Sequence, residues 1–142
     1  TYGGETHHLR AAMKSIEILN RNDYEVTNYI WKVGKRIKEE FNKLSKQFNL
    51  YEKIRCEGVD CRPYFYCENG YLRLLFQQEM ARYGVLVQSI NPSFSHRDSE
   101  ITQTIEAFEK SLKTLLYAIE SDKIRELLIE DRDIKPVFRK YN

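Results

Sequence analysis

Apolar residues recur at helical spacing in three long stretches of the chain. Positions three and four apart share one face of a helix, so each stretch predicts an amphipathic helix. Gly34 lies inside the second stretch, where a close contact with another element would explain it. The apolar positions are Leu9, Met13, Ile16 and Leu19; Val26, Ile30, Val33, Ile37, Phe41, Leu44 and Phe48; and Ile101, Ile105, Phe108, Leu112, Leu115 and Ile119.

Shorter patterns fill the region between the second and the last of these helices. The segment 53–67, interrupted at Gly58, favours strand because of its Tyr64-Phe65-Tyr66 run. A helix through Leu72 to Met80 should end at Gly84, and Val85-Leu86-Val87 predicts a short strand before Asn91-Pro92. Ser95 to Asp98 has the spacing of a capping box for the last long helix, and a further short helix is predicted over 122–129.

This order of elements predicts one α+β domain over residues 1–142. We expect a small antiparallel-type sheet of about three strands, including paired strands near 62–67 and 85–90, covered by long amphipathic helices. The stripe of the last helix should face that sheet.

Composition narrows the classes of function. The chain has 142 residues, 42% hydrophobic and 31% charged, with a net charge of +2, which favours neither a nucleic-acid nor a membrane partner. No apolar run is long enough to span a bilayer, and no signal-peptide pattern is present. The odd set Cys56, Cys61 and Cys67 matches neither a zinc knuckle nor a disulfide framework, which predicts reduced thiols and a cytoplasmic protein.

Few residues suggest chemistry by their spacing alone. His7 and His8 are adjacent and so point about 100° apart on a helix, and His96 is remote in sequence. Surface or capping roles are the simpler interpretation for these histidines, so we predict no metal site. No serine lies in a nucleophile-elbow pattern, and we predict no catalytic residue within the chain.

The N-terminus combines features of a phosphate site. Thr1 offers a hydroxyl, and Gly3 and Gly4 allow close approach of the backbone just before a helix begins. By itself this motif is weak, and an ordinary glycine turn before a helix is the simpler interpretation of the same residues.

Several segments together resemble a known enzyme family. Thr1-Tyr2-Gly3-Gly4 and the following helix resemble the T-[FY]-G-G segment of class III, fold-type I pyridoxal-phosphate (PLP) aminotransferases. Four further segments follow in the same order as in this family: 29–34, 84–86, Phe94-Ser95-His96 with Asp98, and the tail 134–141. The resemblance is to the C-terminal third of such enzymes, and is closest to the glutamate-1-semialdehyde 2,1-aminomutase branch.

The resemblance implies a part of an amino-group-transferring enzyme that uses PLP. It divides the chain into a phosphate-contact segment and connecting helix, residues 1–22, and a small domain, residues 23–142. Thr1, aided by Gly3 and Gly4, would contact the cofactor phosphate held mainly by the neighbouring subunit, which implies a homodimer with a shared active site. The Schiff-base lysine of the family lies upstream of this segment, so we expect the chain to be a piece of a longer polypeptide and inactive alone.

One departure from the family concerns the substrate, a small amino or oxo compound. Ornithine-type members carry a carboxylate-binding arginine in a late strand, whereas the stretch 85–92 contains none. Arg62, before Pro63, is the local candidate for a substrate contact; an exposed arginine at a strand start is the alternative. Two other functions remain open: a non-catalytic dimerisation or interaction module with an aminotransferase-derived fold, and an unrelated helical binding domain.

Overall fold

The computed structural model describes residues 5–130 of the chain. Four helices and one hairpin appear in these residues, in the order α1 (Thr6–Leu19), α2 (Glu25–Gln47), β1 (Ile54–Glu57), β2 (Tyr64–Cys67), α3 (Gly70–Arg82) and α4 (Asp98–Glu120). The predicted α+β class is therefore confirmed. Among the described helices, none combines the length and the apolar composition that crossing a bilayer would require.

Four phenylalanines form the centre of the core. Phe41 of α2 lies with its ring centroid 4.7 Å from that of Phe65 on β2 and 4.9 Å from that of Phe108 on α4. Phe76 of α3 completes the group at 4.9 Å from Phe65. These edge-to-face contacts join one residue from each of three helices and the hairpin. The predicted stripe of α4 is buried at Ile101, Phe108, Leu112 and Leu115.

The sheet is a two-stranded antiparallel hairpin. Cys56 is opposite Phe65, and both side chains face the core, whereas Arg55 and Tyr66 are paired on the outer face. The outer edge of β1 is covered by α2, because the Asn42 amide accepts a hydrogen bond from Cys56 N–H and donates one to Cys56 C=O. This side chain takes the place of a neighbouring strand.

The third predicted strand does not form, which corrects the expectation for 85–90 and its pairing with 62–67. Val85 N–H instead bonds to Met80 C=O, and Gly84 N–H bonds to Ala81 C=O with φ of +79° at the glycine. This is the Schellman ending of α3, which Gly84 was predicted to provide. The Val87 carbonyl accepts from the Gln77 side chain, so both ends of the short apolar run are already bonded elsewhere.

Two further local predictions are wrong. Residues 122–129 form turns rather than a helix, because Asp122 takes a left-handed conformation and Lys123 N–H closes the end of α4 on Ala118 C=O. The start of α4 is also different from the predicted box at Ser95 and Asp98. The helix begins at Asp98, and the Glu100 carboxylate accepts from Arg97 N–H at 2.7 Å.

Helix α1 has its predicted amphipathic pattern but no buried face. Every residue of α1 is exposed, including Leu9, Met13 and Ile16, whose side chains are 54–58% exposed. The turn that joins α1 to α2 holds three consecutive left-handed residues, Asn22, Asp23 and Tyr24. The predicted boundary between residues 22 and 23 falls in this turn.

Candidate functional site

A cavity of about 230 Å³ lies between the irregular segment 85–96 and the elements behind it. We call it the 85–96 cavity. Ile37 of α2, Phe65 of β2 and Phe108 of α4 form its apolar wall. The polar side chains at its border belong to Ser89, Asn91, His96 and Thr104. An apolar cavity with few polar groups is the usual form of a small-molecule site, and this volume suits a small group.

Gly34 in α2 allows the segment 85–96 to pack closely against this helix. A Cβ atom at Gly34 would lie 1.7 Å from Asp60 C=O and 2.9 Å from Pro92 Cγ. Pro92 itself is buried, and Lys38, one turn along α2, pairs with the Asp60 carboxylate. Gly34 therefore fixes both the loop between the strands and the segment 85–96 against α2, which explains the glycine that the sequence left open.

His96 holds the C-terminal end of the same segment. Its Nδ1 accepts a hydrogen bond from Ser93 N–H at 3.0 Å and lies 3.2 Å from Ser93 Oγ. The Tyr29 hydroxyl donates to the His96 carbonyl, and the Phe94 ring packs edge-on against Tyr29 at 5.2 Å. Since Nδ1 is an acceptor in this turn, the ring can present an N–H donor only through Nε2.

Ser93 Oγ and His96 Nδ1 lie within hydrogen-bond reach of each other, as a nucleophile and its base would, but such a pair also uses a third group that orients the base. Among residues 5–130, no carboxylate is hydrogen-bonded to His96, so the third group that orients such a base is missing. The arrangement offers hydrogen-bonding groups that can bind and orient a ligand. The Ser-x-x-His spacing of Ser93 and His96 is the sequence signal that could have predicted this turn.

The outer face of the hairpin carries a second polar cluster. Arg55 and the Tyr64 hydroxyl both donate to the Glu57 carboxylate, at 2.5 and 2.8 Å, and the two bonds lower the pKa of Glu57 below its usual value. The guanidinium of Arg55 also lies over the Tyr66 ring, 3.9 Å from its centroid. Both carboxylate oxygens of Glu57 are thus bonded within the cluster, which indicates a structural role on an exposed face.

Of the residues predicted for cofactor and substrate, the described part of the chain contains Arg62. Thr1, Gly3 and Gly4 lie outside the described residues, as does the tail 134–141. Arg62 is exposed in the loop between β1 and β2, and it does not line the 85–96 cavity. Within the described part of the chain, its side chain has no ion-pair or hydrogen-bond partner. Its position agrees with the exposed-arginine interpretation.

Among the described residues, no lysine to which PLP could be bound lines the 85–96 cavity. Such a site needs a lysine amine in a cavity that also holds a phosphate. The ten lysines in residues 5–130 lie on exposed or half-buried helix and loop surfaces, and none of them lines the 85–96 cavity.

Comparison with known proteins gives a match in structure only. No protein-family model and no curated protein sequence matches the chain. Its fold is similar to part of the FumI protein of Sphingopyxis sp. MTA144, solved in its PLP internal aldimine form, with a TM-score of 0.66 and 17% sequence identity. The match covers 78% of this chain and 27% of FumI, so the chain spans little more than a quarter of that protein's length. The chain thus has a fold found within a PLP-containing protein.

Proposed function

We propose that the chain is the C-terminal part of a PLP-dependent class III aminotransferase or aminomutase that transfers an amino group, similar to the glutamate-1-semialdehyde 2,1-aminomutase branch. The observation that carries this proposal is the fold similarity to FumI over 78% of the chain. The ordered motifs from Thr1 to Asp98 agree with it independently, since they resemble the same enzyme class. The complete enzyme would be a homodimer with a shared active site.

Within that enzyme the chain would act as a small domain that shapes the substrate site. The 85–96 cavity supports this role because it joins an apolar wall to the Nε2 side of His96 and the Thr104 hydroxyl. A small amino or oxo substrate needs such a surface for its carbon chain and a few hydrogen-bonding groups for orientation. The lysine that carries PLP would come from sequence upstream of Thr1.

The test compares the isolated chain with the protein encoded by the reading frame extended upstream of Thr1. Each is mixed with PLP, treated with borohydride and examined by mass spectrometry and visible absorbance. We expect the extended protein to retain one PLP per chain on a single lysine upstream of Thr1. The 142-residue chain should retain no stoichiometric PLP, because no lysine in its described part lies in the cavity.

Two results would contradict the proposal. One is a reading frame that begins at or just before Thr1, which leaves no room for the lysine. The other is an extended protein that folds and dimerises but neither binds PLP nor transfers an amino group from any amino donor.

The second candidate function, a non-catalytic interaction module, is favoured by one observation. The apolar face of α1 is wholly exposed, with Leu9, Met13 and Ile16 each more than half exposed. An apolar face of this kind is typical of a contact surface. An extended protein without PLP that still dimerises through this face would support the module.

A further inference from the structure

Three potential metal ligands converge where α1 begins. The Glu5 carboxylate oxygen Oε2 lies 3.3 Å from His7 Nε2 and 2.6 Å from His8 Nδ1. The two imidazole rings are 4.1 Å apart between centroids, and the three ligand atoms all lie within 4.8 Å of one another. The three side chains are exposed, so an ion could reach them directly from solvent.

We propose that Glu5, His7 and His8 bind a divalent transition-metal ion of the zinc class. Two imidazole nitrogens and one carboxylate oxygen are a common protein ligand set for Zn²⁺, at about 2.0–2.2 Å from the ion. Ligands at such distances in a tetrahedron are separated by about 3.3 Å. The distance from Glu5 Oε2 to His7 Nε2 has this value, whereas the 2.6 Å contact with His8 Nδ1 would lengthen when an ion enters. Water would occupy the fourth position. Mg²⁺ and Ca²⁺ are poorer candidates because they prefer oxygen ligands throughout.

The structure overturns the geometric objection to adjacent histidines. The two residues point about 100° apart around the helix axis, but they offer different nitrogens, Nε2 of His7 and Nδ1 of His8. Nε2 of a histidine lies farther from its backbone than Nδ1, and both nitrogens contact the same Glu5 oxygen. Glu5, which stands just before the helix, was not considered in the sequence prediction of no metal site.

Other groups in the described part of the chain compete weakly for such an ion. Burial raises the pKa of the Cys56 thiol to about 12 and that of Cys67 to about 11, so neither is readily available as the thiolate that binds zinc. His96 Nδ1 already accepts from Ser93 N–H. The Glu5 carboxylate also offsets the positive end of the α1 dipole, which would otherwise repel a cation.

The experiment is calorimetric titration of ZnCl₂ into the 142-residue chain, with Co²⁺ absorbance as a readout of coordination. We expect one Zn²⁺ per chain. His7→Gln and His8→Gln should each weaken binding at least tenfold, and Glu5→Gln should weaken it several-fold, because each removes one ligand. His96→Gln is the matched control, since it changes the only other histidine and should leave the affinity unchanged. Cys61→Ser is the control for thiol binding.

The variants lie on an exposed helix end, and circular dichroism checks that they fold. Zn²⁺ affinity that is the same in wild type, His7→Gln and His8→Gln would overturn the proposal and indicate an adventitious ion only. Loss of binding in Cys61→Ser would overturn it as well, by assigning the ion to a thiol. A weakening confined to the Glu5, His7 and His8 variants would support it.

Discussion

At the scale of single residues, Gly34 shows how one missing side chain places two loops. An alanine would normally stabilise a helix interior by about 1 kcal/mol relative to glycine. Here its Cβ would lie 1.7 Å from the Asp60 carbonyl oxygen, which is backbone and cannot rotate away. We therefore expect Gly34→Ala to lower the free energy of unfolding by about 1–3 kcal/mol.

Urea denaturation of Gly34→Ala beside Lys32→Ala measures this effect. Lys32 lies on the exposed side of the same helix, so its substitution should change stability by less than about 0.5 kcal/mol. A Gly34→Ala protein as stable as the wild type would show that the loop of Asp60 moves away at no cost.

At the scale of elements, the buried stripe of α4 packs against α2 and α3 and contacts the hairpin through the ring of Phe108. Phe108 is 1% exposed and contacts the rings of Phe41 and Phe65. Removing its ring leaves a cavity that packed neighbours cannot fill, so Phe108→Ala should cost about 3–5 kcal/mol. Tyr117→Ala is the control on the same helix, because Tyr117 is 55% exposed. Thermal and urea unfolding would measure the free energy of unfolding of both variants. A loss under about 0.5 kcal/mol in Phe108→Ala would contradict the observed packing.

The start of α4 should make stability depend on pH. The hydrogen bond from Arg97 N–H, followed by that from the Ser99 hydroxyl, lowers the pKa of Glu100 below its ordinary value of 4.5. A carboxyl group whose pKa is lower in the folded state stabilises the fold above pH 4.5. That contribution is lost as the pH falls through the lowered pKa.

Glu100→Gln removes this titration but keeps an acceptor oxygen. We expect the difference in urea midpoint between wild type and Glu100→Gln to be largest near neutral pH and to shrink as the pH falls below 4.5. Glu106→Gln, another exposed position of α4, is the control. A difference that stays constant with pH would contradict this prediction, because it would show that the capping hydrogen bond stabilises the fold independently of the charge of Glu100.

Helical periodicity predicted the four helices because α2 and α4 bury the positions that their spacing indicated, such as Phe41 and Phe108. Periodicity could not exclude the predicted strand at 85–90. The strand is prevented because Val85 N–H bonds to Met80 C=O and Val87 C=O accepts from the Gln77 side chain, and only the folded chain defines these two contacts. The convergence of Glu5 with His7 and His8 could not be predicted for a similar reason, because the spacing of the two histidines does not include Glu5 and the folded chain brings the three side chains together.

At the scale of the whole molecule, the described residues form a closed core with an exposed N-terminal helix. The core depends on the phenylalanine contacts among α2, α3, α4 and the hairpin, and none of them involves α1. The apolar face of α1 is therefore free of the domain that follows it. This division agrees with the proposed roles of a connecting helix and a small domain, because a connecting helix would pack on a part of the enzyme outside this domain.

The proposed enzyme gives Thr1 a role that can be measured in the complete dimer. A hydroxyl that donates to a charged phosphate contributes roughly 1.5–3 kcal/mol, and each 1.4 kcal/mol changes an affinity about tenfold. Thr1→Val keeps the shape of the side chain and removes the donor, so PLP should bind roughly tenfold or more weakly. Thr6→Val is the matched control, because it makes the same change in the first turn of α1. Titration of PLP into the two apo variants and the wild type measures the effect, with thermal unfolding as the check on folding.

If Thr1→Val binds PLP as tightly as Thr6→Val, the Thr1 hydroxyl does not bind the phosphate. The proposal of a homodimer with a shared active site, which rests on Thr1, then loses its support. A selective loss in Thr1→Val would instead assign the Thr1 hydroxyl to the cofactor phosphate, since Thr6→Val makes the same chemical change elsewhere in the same segment.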